Sequence, residues 1–153
     1  MFTCSERSIR AHYVQFYTLR FKTMADGSTR KSLQMLLESV DGLFQLFVAD
    51  REGVPIVTVT AANNAETLLR PQLLTSYQAA IEQSSKLGLG GHKQMVCSYG
   101  TLQLVLFNIS PLTVTLIASS QANTGLLLGL RDQIEPIAEQ INQAVATALP
   151  RAD

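Results

Sequence analysis

Apolar residues recur at Leu33, Leu36, Leu37 and Val40, the i, i+3, i+4, i+7 spacing of one helix face. The pattern predicts a short helix over 31–40, with Ser28 or Thr29 placed to cap it and Asp41-Gly42 to end it. Leu43–Ala49 is then almost unbroken apolar sequence, too short for a typical helix and fit for a central strand. Asp50-Arg51-Glu52-Gly53 reads as a tight turn, and Val54–Thr60 returns with β-branched residues. Pro55 suits an edge strand or the first residues of a strand. A polar stretch over 61–67 leads into a long patterned segment.

There, Leu69, Leu73, Leu74, Tyr77, Ala80, Ile81, Ser84 and Leu87 gather on one arc at 100° per residue, predicting a core-facing helix. Pro71 falls in its first turn, where a missing N–H costs nothing. Gly88, Gly90 and Gly91 suit a left-handed cap and turn at its end. His92–Tyr99 alternates, with Met95, Cys97 and Tyr99 on one face and Gln94, Val96 and Ser98 on the other. Leu102–Phe107 and Leu112–Ala118 are two more strands, split by Asn108-Ile109-Ser110-Pro111, and such short connections require antiparallel hairpins. Asn123 or Thr124 is placed to cap a last helix, whose stripe runs from Leu127 through Ile134 and Ile141 to Ala148. Pro136 should kink that helix or shorten its first half. The order is helix, two strands, helix, three strands, helix: an α+β domain with a five-stranded antiparallel sheet between helices and no internal repeat.

Charge changes this picture in two ways. Hydrophobic residues make up 46% of the 153 and charged ones only 16%, well below the usual quarter, which favours a subunit of something larger. Net charge is zero but unevenly spread: Arg7, Arg10, Arg20 and Lys22 against Glu6 leave residues 1–23 at +3 and the remainder at −3. The folded part therefore carries no basic footprint for nucleic acid. Residues 1–23 read as a disordered extension or a stretch ahead of the natural start, and Met24-Ala25-Asp26-Gly27 as the beginning of a single domain over 24–153. The two cysteines, Cys4 and Cys97, form no framework and fit a reducing compartment. No apolar run has the length of a membrane span, and no secretory or lipidation signal is evident.

The sequence holds no recognisable catalytic set, cofactor site or metal site. His12 lies in the N-terminal extension, and His92, in a turn beside Lys93, reads as solvated. No Cys/His spacing suits zinc. Leu87-Gly88-Leu89-Gly90-Gly91-His92 superficially resembles a dinucleotide loop, but it follows a helix and precedes a strand, the reverse of what such a loop requires. Asp50 and Glu52 share a turn, and turn chemistry accounts for them. What remains is surface. Gln72, Ser76, Ala79 and Gln83 form a second stripe on the long helix, polar or small and uncharged, as the centres of protein interfaces are. The strand carrying Gln94, Val96 and Ser98 follows a glycine turn and fits a sheet edge, where unpaired backbone groups accept another chain's strand. These seven residues are the candidate partner interface.

Leu69-Arg70-Pro71, Ser85-Lys86-Leu87-Gly88-Leu89, Phe107-Asn108 and above all Ile117-Ala118-Ser119-Ser120-Gln121-Ala122-Asn123-Thr124-Gly125-Leu126 resemble the roadblock/LC7 family, and within it the MAP kinase scaffold subunits of Ragulator. Asp50-Arg51-Glu52-Gly53-Val54-Pro55 is similar to the first hairpin of those proteins. The resemblance spans about residues 30–148. It implies a roadblock fold that heterodimerises with a second roadblock subunit through a helix–strand edge. It also implies residence on the cytosolic face of late endosomes and lysosomes, as a peripheral protein held by a lipidated companion subunit. There such a scaffold recruits Rag GTPases for amino-acid signalling to mTOR complex 1 and brings a MAP kinase kinase near ERK. Two other roles are open to a roadblock protein: a regulator of small-GTPase turnover, for which Arg51 and Arg70 are the candidate projecting residues, and a homodimeric dynein-associated light chain.

Overall fold

The structure is a computed structural model; it describes residues 27–62 and 71–148, without the side chains of residues 71, 72, 74 and 148. The predicted extension over 1–23, and Leu69 and Arg70 ahead of the long helix, lie outside the described residues. The elements run α1 (Gly27–Ser39), β1 (Leu43–Ala49), β2 (Pro55–Thr60), α2 (Pro71–Ser85), β3 (Gln94–Ser98), β4 (Leu102–Ile109), β5 (Leu112–Ser119), α3 (Thr124–Gly129) and α4 (Arg131–Ala148). The strands form one antiparallel sheet in the order β2-β1-β5-β4-β3.

Alternation along the strands sends apolar side chains to both faces, so the central strands are buried along most of their length. One face packs under α1 and α4, where Leu33, Leu37, Val105, Phe107, Leu116 and Ile134 belong to the larger core. The other face carries Phe47, Leu104, Leu106 and Ile117, and Tyr77 of α2 closes over them with Leu73 and Ile81 alongside. The sheet thus lies between helices, as the α+β order of elements requires, and β2 and β3 are its two borders. Pro55 opens β2 at a border, where its missing N–H removes no interior ladder bond.

Local chemistry fixes the connections. In the first hairpin, Asp50 Oδ1 accepts from the N–H groups of Glu52 and Val54, both at 2.9 Å, and Gly53 takes a φ of +78°. The carboxylate is thereby committed to its turn. Gly42, at φ +79°, ends the passage from α1 to β1, and a Cβ there would sit 3.2 Å from that of Ala122. Only glycine meets both conditions without strain.

Three expectations are corrected. Ser28 and Thr29 do not cap α1 but lie within it, because the helix already begins at Gly27; Ser32 Oγ donates back to the Ser28 carbonyl at 3.1 Å. The C-terminal stripe, expected as one helix, forms two: it is broken at Gly129-Leu130, and Pro136 lies inside α4. Leu130 keeps a right-handed conformation there, and its N–H bonds back to Leu127 and Leu128, tightening the last turn of α3 before α4 starts. Leu87 leaves the predicted apolar arc: α2 ends at Ser85, and Leu87 is 68% exposed.

The Ser119–Gly125 connection is built from side-chain bonds. Asn123 caps α3, its Oδ1 accepting from Gly125 N at 2.9 Å and Leu126 N at 3.2 Å. Thr124 turns its hydroxyl inward instead. It donates to Gln103 Oε1 at 2.7 Å, while Gln103 Nε2 donates to the carbonyls of Ser119 and Ala122 at 2.9 and 2.7 Å. Replacing Asn123 with Ala is expected to cost about 1 kcal/mol, seen as a melting point roughly 4 °C lower for a domain of this size.

Candidate interaction edge

The parity of the β3–β4 ladder determines what the sheet border offers. Lys93 O accepts from Asn108 N at 2.9 Å and Tyr99 N donates to Leu102 O at 2.7 Å, with Ser98 opposite Gln103 and Gln94 opposite Phe107. In an antiparallel pair, hydrogen-bonded and non-hydrogen-bonded positions alternate. Lys93, Met95, Cys97 and Tyr99 therefore direct their backbone groups to β4, whereas Gln94, Val96 and Ser98 direct theirs outward. The three residues selected on the strand are those whose main-chain N–H and C=O face the open border.

Their side chains are exposed as well, in contrast to the half-buried Met95 and Cys97. On α2, Ser76, Ala79 and Gln83 are exposed along one line of the helix; Gln72 lies in the same helix, its side chain outside the described ones. The two sets do not share one face of the sheet. Met95 and Cys97 pack against the α2-side core, so Gln94, Val96 and Ser98 point to the side of α1 and α4. Val96 sits opposite Val105, a member of the α1/α4-side core. The helical stripe and the strand trio lie on opposite sides of the sheet, so a partner must straddle its border to reach both.

Apolar exposure concentrates at this corner. Among the described residues the exposed large hydrophobic ones are Met35, Leu87, Leu89, Val96, Tyr99 and Leu126, and four of these fall between 87 and 99. The charges beside the stripe neutralise each other, Lys86 Nζ lying 3.5 Å from a Glu82 carboxylate oxygen one helical turn away, an exposed pair of small energetic value.

Several contacts at the site have no signature in the sequence. Gln78 Nε2 donates to the Asp50 carbonyl at 3.3 Å and to Thr113 Oγ1 at 3.2 Å, fastening α2 to the sheet beside the first hairpin. The Tyr77 and Tyr99 hydroxyls meet at 2.6 Å. Burial pushes the Tyr77 phenol well above the usual tyrosine range, and the bond to Tyr99 pushes it further. A phenol held neutral by the fold stabilises it fully below the unfolded-state pKa of about 10 and loses that contribution as pH rises through the higher folded value. Stability is therefore expected to fall above about pH 10, and to fall less in Tyr77→Phe, as denaturant midpoints at pH 9 and 11 would record. His92 is half-buried rather than solvated: Asn108 Nδ2 donates to its carbonyl at 2.9 Å, and its Nδ1 is enclosed with no hydrogen-bond partner among the described residues.

These elements in this order define a roadblock/LC7 fold. The gliding protein MglB from Thermus thermophilus shares it at a TM-score of 0.63, with 17% identity over 73% of this chain and 89% of that one. MglC from Myxococcus xanthus shares it at 0.57, with 22% identity over 73% of this chain and 98% of that one. Sequence resolves the class further. The family described as mitogen-activated protein kinase kinase 1 interacting matches residues 28–145, and the chain belongs to that family. Ragulator complex protein LAMTOR3 of Homo sapiens is 44% identical over 122 residues, covering 80% of this chain and 98% of the human protein. The Danio rerio protein of the same name is 43% identical over 125 residues, covering 82% of this chain and all of that protein. Both relatives are Ragulator complex proteins, and the family is described by its interaction with mitogen-activated protein kinase kinase 1. Among the described residues no helix is long and apolar enough to cross a membrane.

Proposed function

We infer that this chain is a Ragulator scaffold subunit that heterodimerises with a second roadblock subunit through the β3 border and the exposed face of α2. Its similarity to LAMTOR3 proteins over nearly their full length carries the reading. The outward backbone groups of Gln94, Val96 and Ser98, with the uncharged stripe of Ser76, Ala79 and Gln83 on the α2 side of the sheet, supply the means. Strand addition gives directional hydrogen bonds, and the helix stripe gives packing free of charge desolvation.

The pair would sit on the cytosolic face of late endosomes and lysosomes, held by a lipidated companion subunit. There it would recruit Rag GTPases for mTOR complex 1 activation and hold a MAP kinase kinase beside ERK. Such a scaffold acts by proximity, since tethered partners meet at local concentrations on the order of millimolar with no bond chemistry supplied by the tether. Light scattering on the purified chain, alone and mixed with the second roadblock subunit of Ragulator from the same organism, tests the reading. A stable one-to-one complex is expected. A mixture that elutes as two separate species would overturn it.

A further inference from the structure

Helix α2 and strand β3 must hold a fixed relation for one partner to engage both. The covalent link between them provides little restraint. Gly88 and Gly90 take φ values of +71° and +91°, and at Gly88, Gly90 and Gly91 no atom beyond the adjoining residues lies within 4 Å of where a Cβ would stand. The 86–93 connection is thus exposed and unpacked over its glycines. Positioning falls to non-covalent contacts, and two polar ones stand out. Gln78 secures α2 toward β5 and the first hairpin, on the side away from the border. On the border side, the Tyr77 hydroxyl meets that of Tyr99.

The two tyrosines are unequal. Tyr77 is 9% exposed and rooted in the α2-side core, whereas Tyr99 is 57% exposed. Tyr99 is nonetheless anchored through its backbone, whose N–H is bonded to Leu102 of β4. The pair therefore joins a core residue of α2 to the residue that directly follows the border strand and is itself bonded to β4. We propose that the Tyr77–Tyr99 hydroxyl pair is a positioning clamp that sets α2 against β3 at the spacing a straddling roadblock partner requires. The inference rests on the pairing role proposed above and assigns to these residues no contact with the partner.

Tyr77→Phe, Tyr99→Phe and the double variant test the clamp, with the second roadblock subunit of Ragulator from the same organism as the probe. Each single variant is expected to raise the Kd by about five- to tenfold, the size of one neutral hydrogen bond, and the double variant by no more than either single. Hydrogen exchange of the isolated variants should show α2 amides opening faster while β5 amides keep their protection. Variants that bind within twofold of the unaltered chain would overturn the clamp, as would single effects that multiply in the double, since independent losses do not share one bond. An unaltered chain that does not bind the probe at all would overturn the pairing reading and the clamp with it. Binding by the unaltered chain with insensitive variants would overturn the clamp alone.

Discussion

Placing a carboxylate on the α2 stripe by Ala79→Glu is expected to abolish capture of the second roadblock subunit while leaving the fold intact. Ala79 is exposed in the free chain, and glutamate is a good helix former, so the isolated protein should melt within a few degrees of the unaltered one. Pairing changes the environment of that position. A charge drawn into a buried, uncharged contact without a partner costs several kcal/mol, enough to weaken binding by a factor of roughly a thousand or more. The loss should appear in pull-down and in the stoichiometry of the mixed complex. Capture of an unchanged amount of partner by Ala79→Glu would remove α2 from the interface.

The second large effect concerns stability and lies on the far side of the sheet. Gln103 is 3% exposed and holds the Ser119–Thr124 connection through three hydrogen bonds. Gln103→Ala leaves two carbonyls and a threonine hydroxyl short of partners in an enclosed site. Leaving buried polar groups unsatisfied costs about 1–3 kcal/mol each where water cannot replace the partner. A net loss of about 3 kcal/mol, partial rehydration included, lowers the melting point by roughly 12 °C. Gln103→Glu separates hydrogen bonding from volume, because it retains the shape but places an acceptor against the carbonyls of Ser119 and Ala122. It should be at least as damaging at neutral pH and should recover in part below about pH 4, where a carboxyl can donate. A melting point for Gln103→Glu equal to that of the unaltered chain would show that the network contributes nothing.

Much of this architecture can be read directly from residue spacing. The 3.6-residue stripe at Leu33, Leu36 and Leu37, the turn chemistry of Asp50–Gly53 and the alternation of β3 each reflect local physics strong enough to survive folding. The boundaries that shifted depended on competition between local signals. Ser28 and Thr29 are good caps, but the helix extends past them. Pro136 is a helix breaker in isolation, yet α4 carries it, while the break falls at Gly129-Leu130, where the chain turns from α3 into α4. The candidate site was legible only as composition and alternation. Absence of charge along Ser76, Ala79 and Gln83 marks a surface, and alternation marks Val96 and its neighbours, but neither shows that the two sets point to opposite sides of the sheet. That follows from register, which depends on pairing across strands distant in sequence. The Tyr77–Tyr99 bond, the Gln78 fastening and the Gln103 network join residues 16 to 35 positions apart, and no periodicity encodes them.

Backbone amide exchange along β3, recorded for the chain alone and bound to its roadblock companion, tests the docking border most directly. The amides of Met95 and Cys97, already bonded to β4, should be protected in both states. Those of Gln94, Val96 and Ser98 should exchange freely alone and become protected in the complex. Complex formation that leaves the Gln94, Val96 and Ser98 amides as open as before would contradict strand addition at this border.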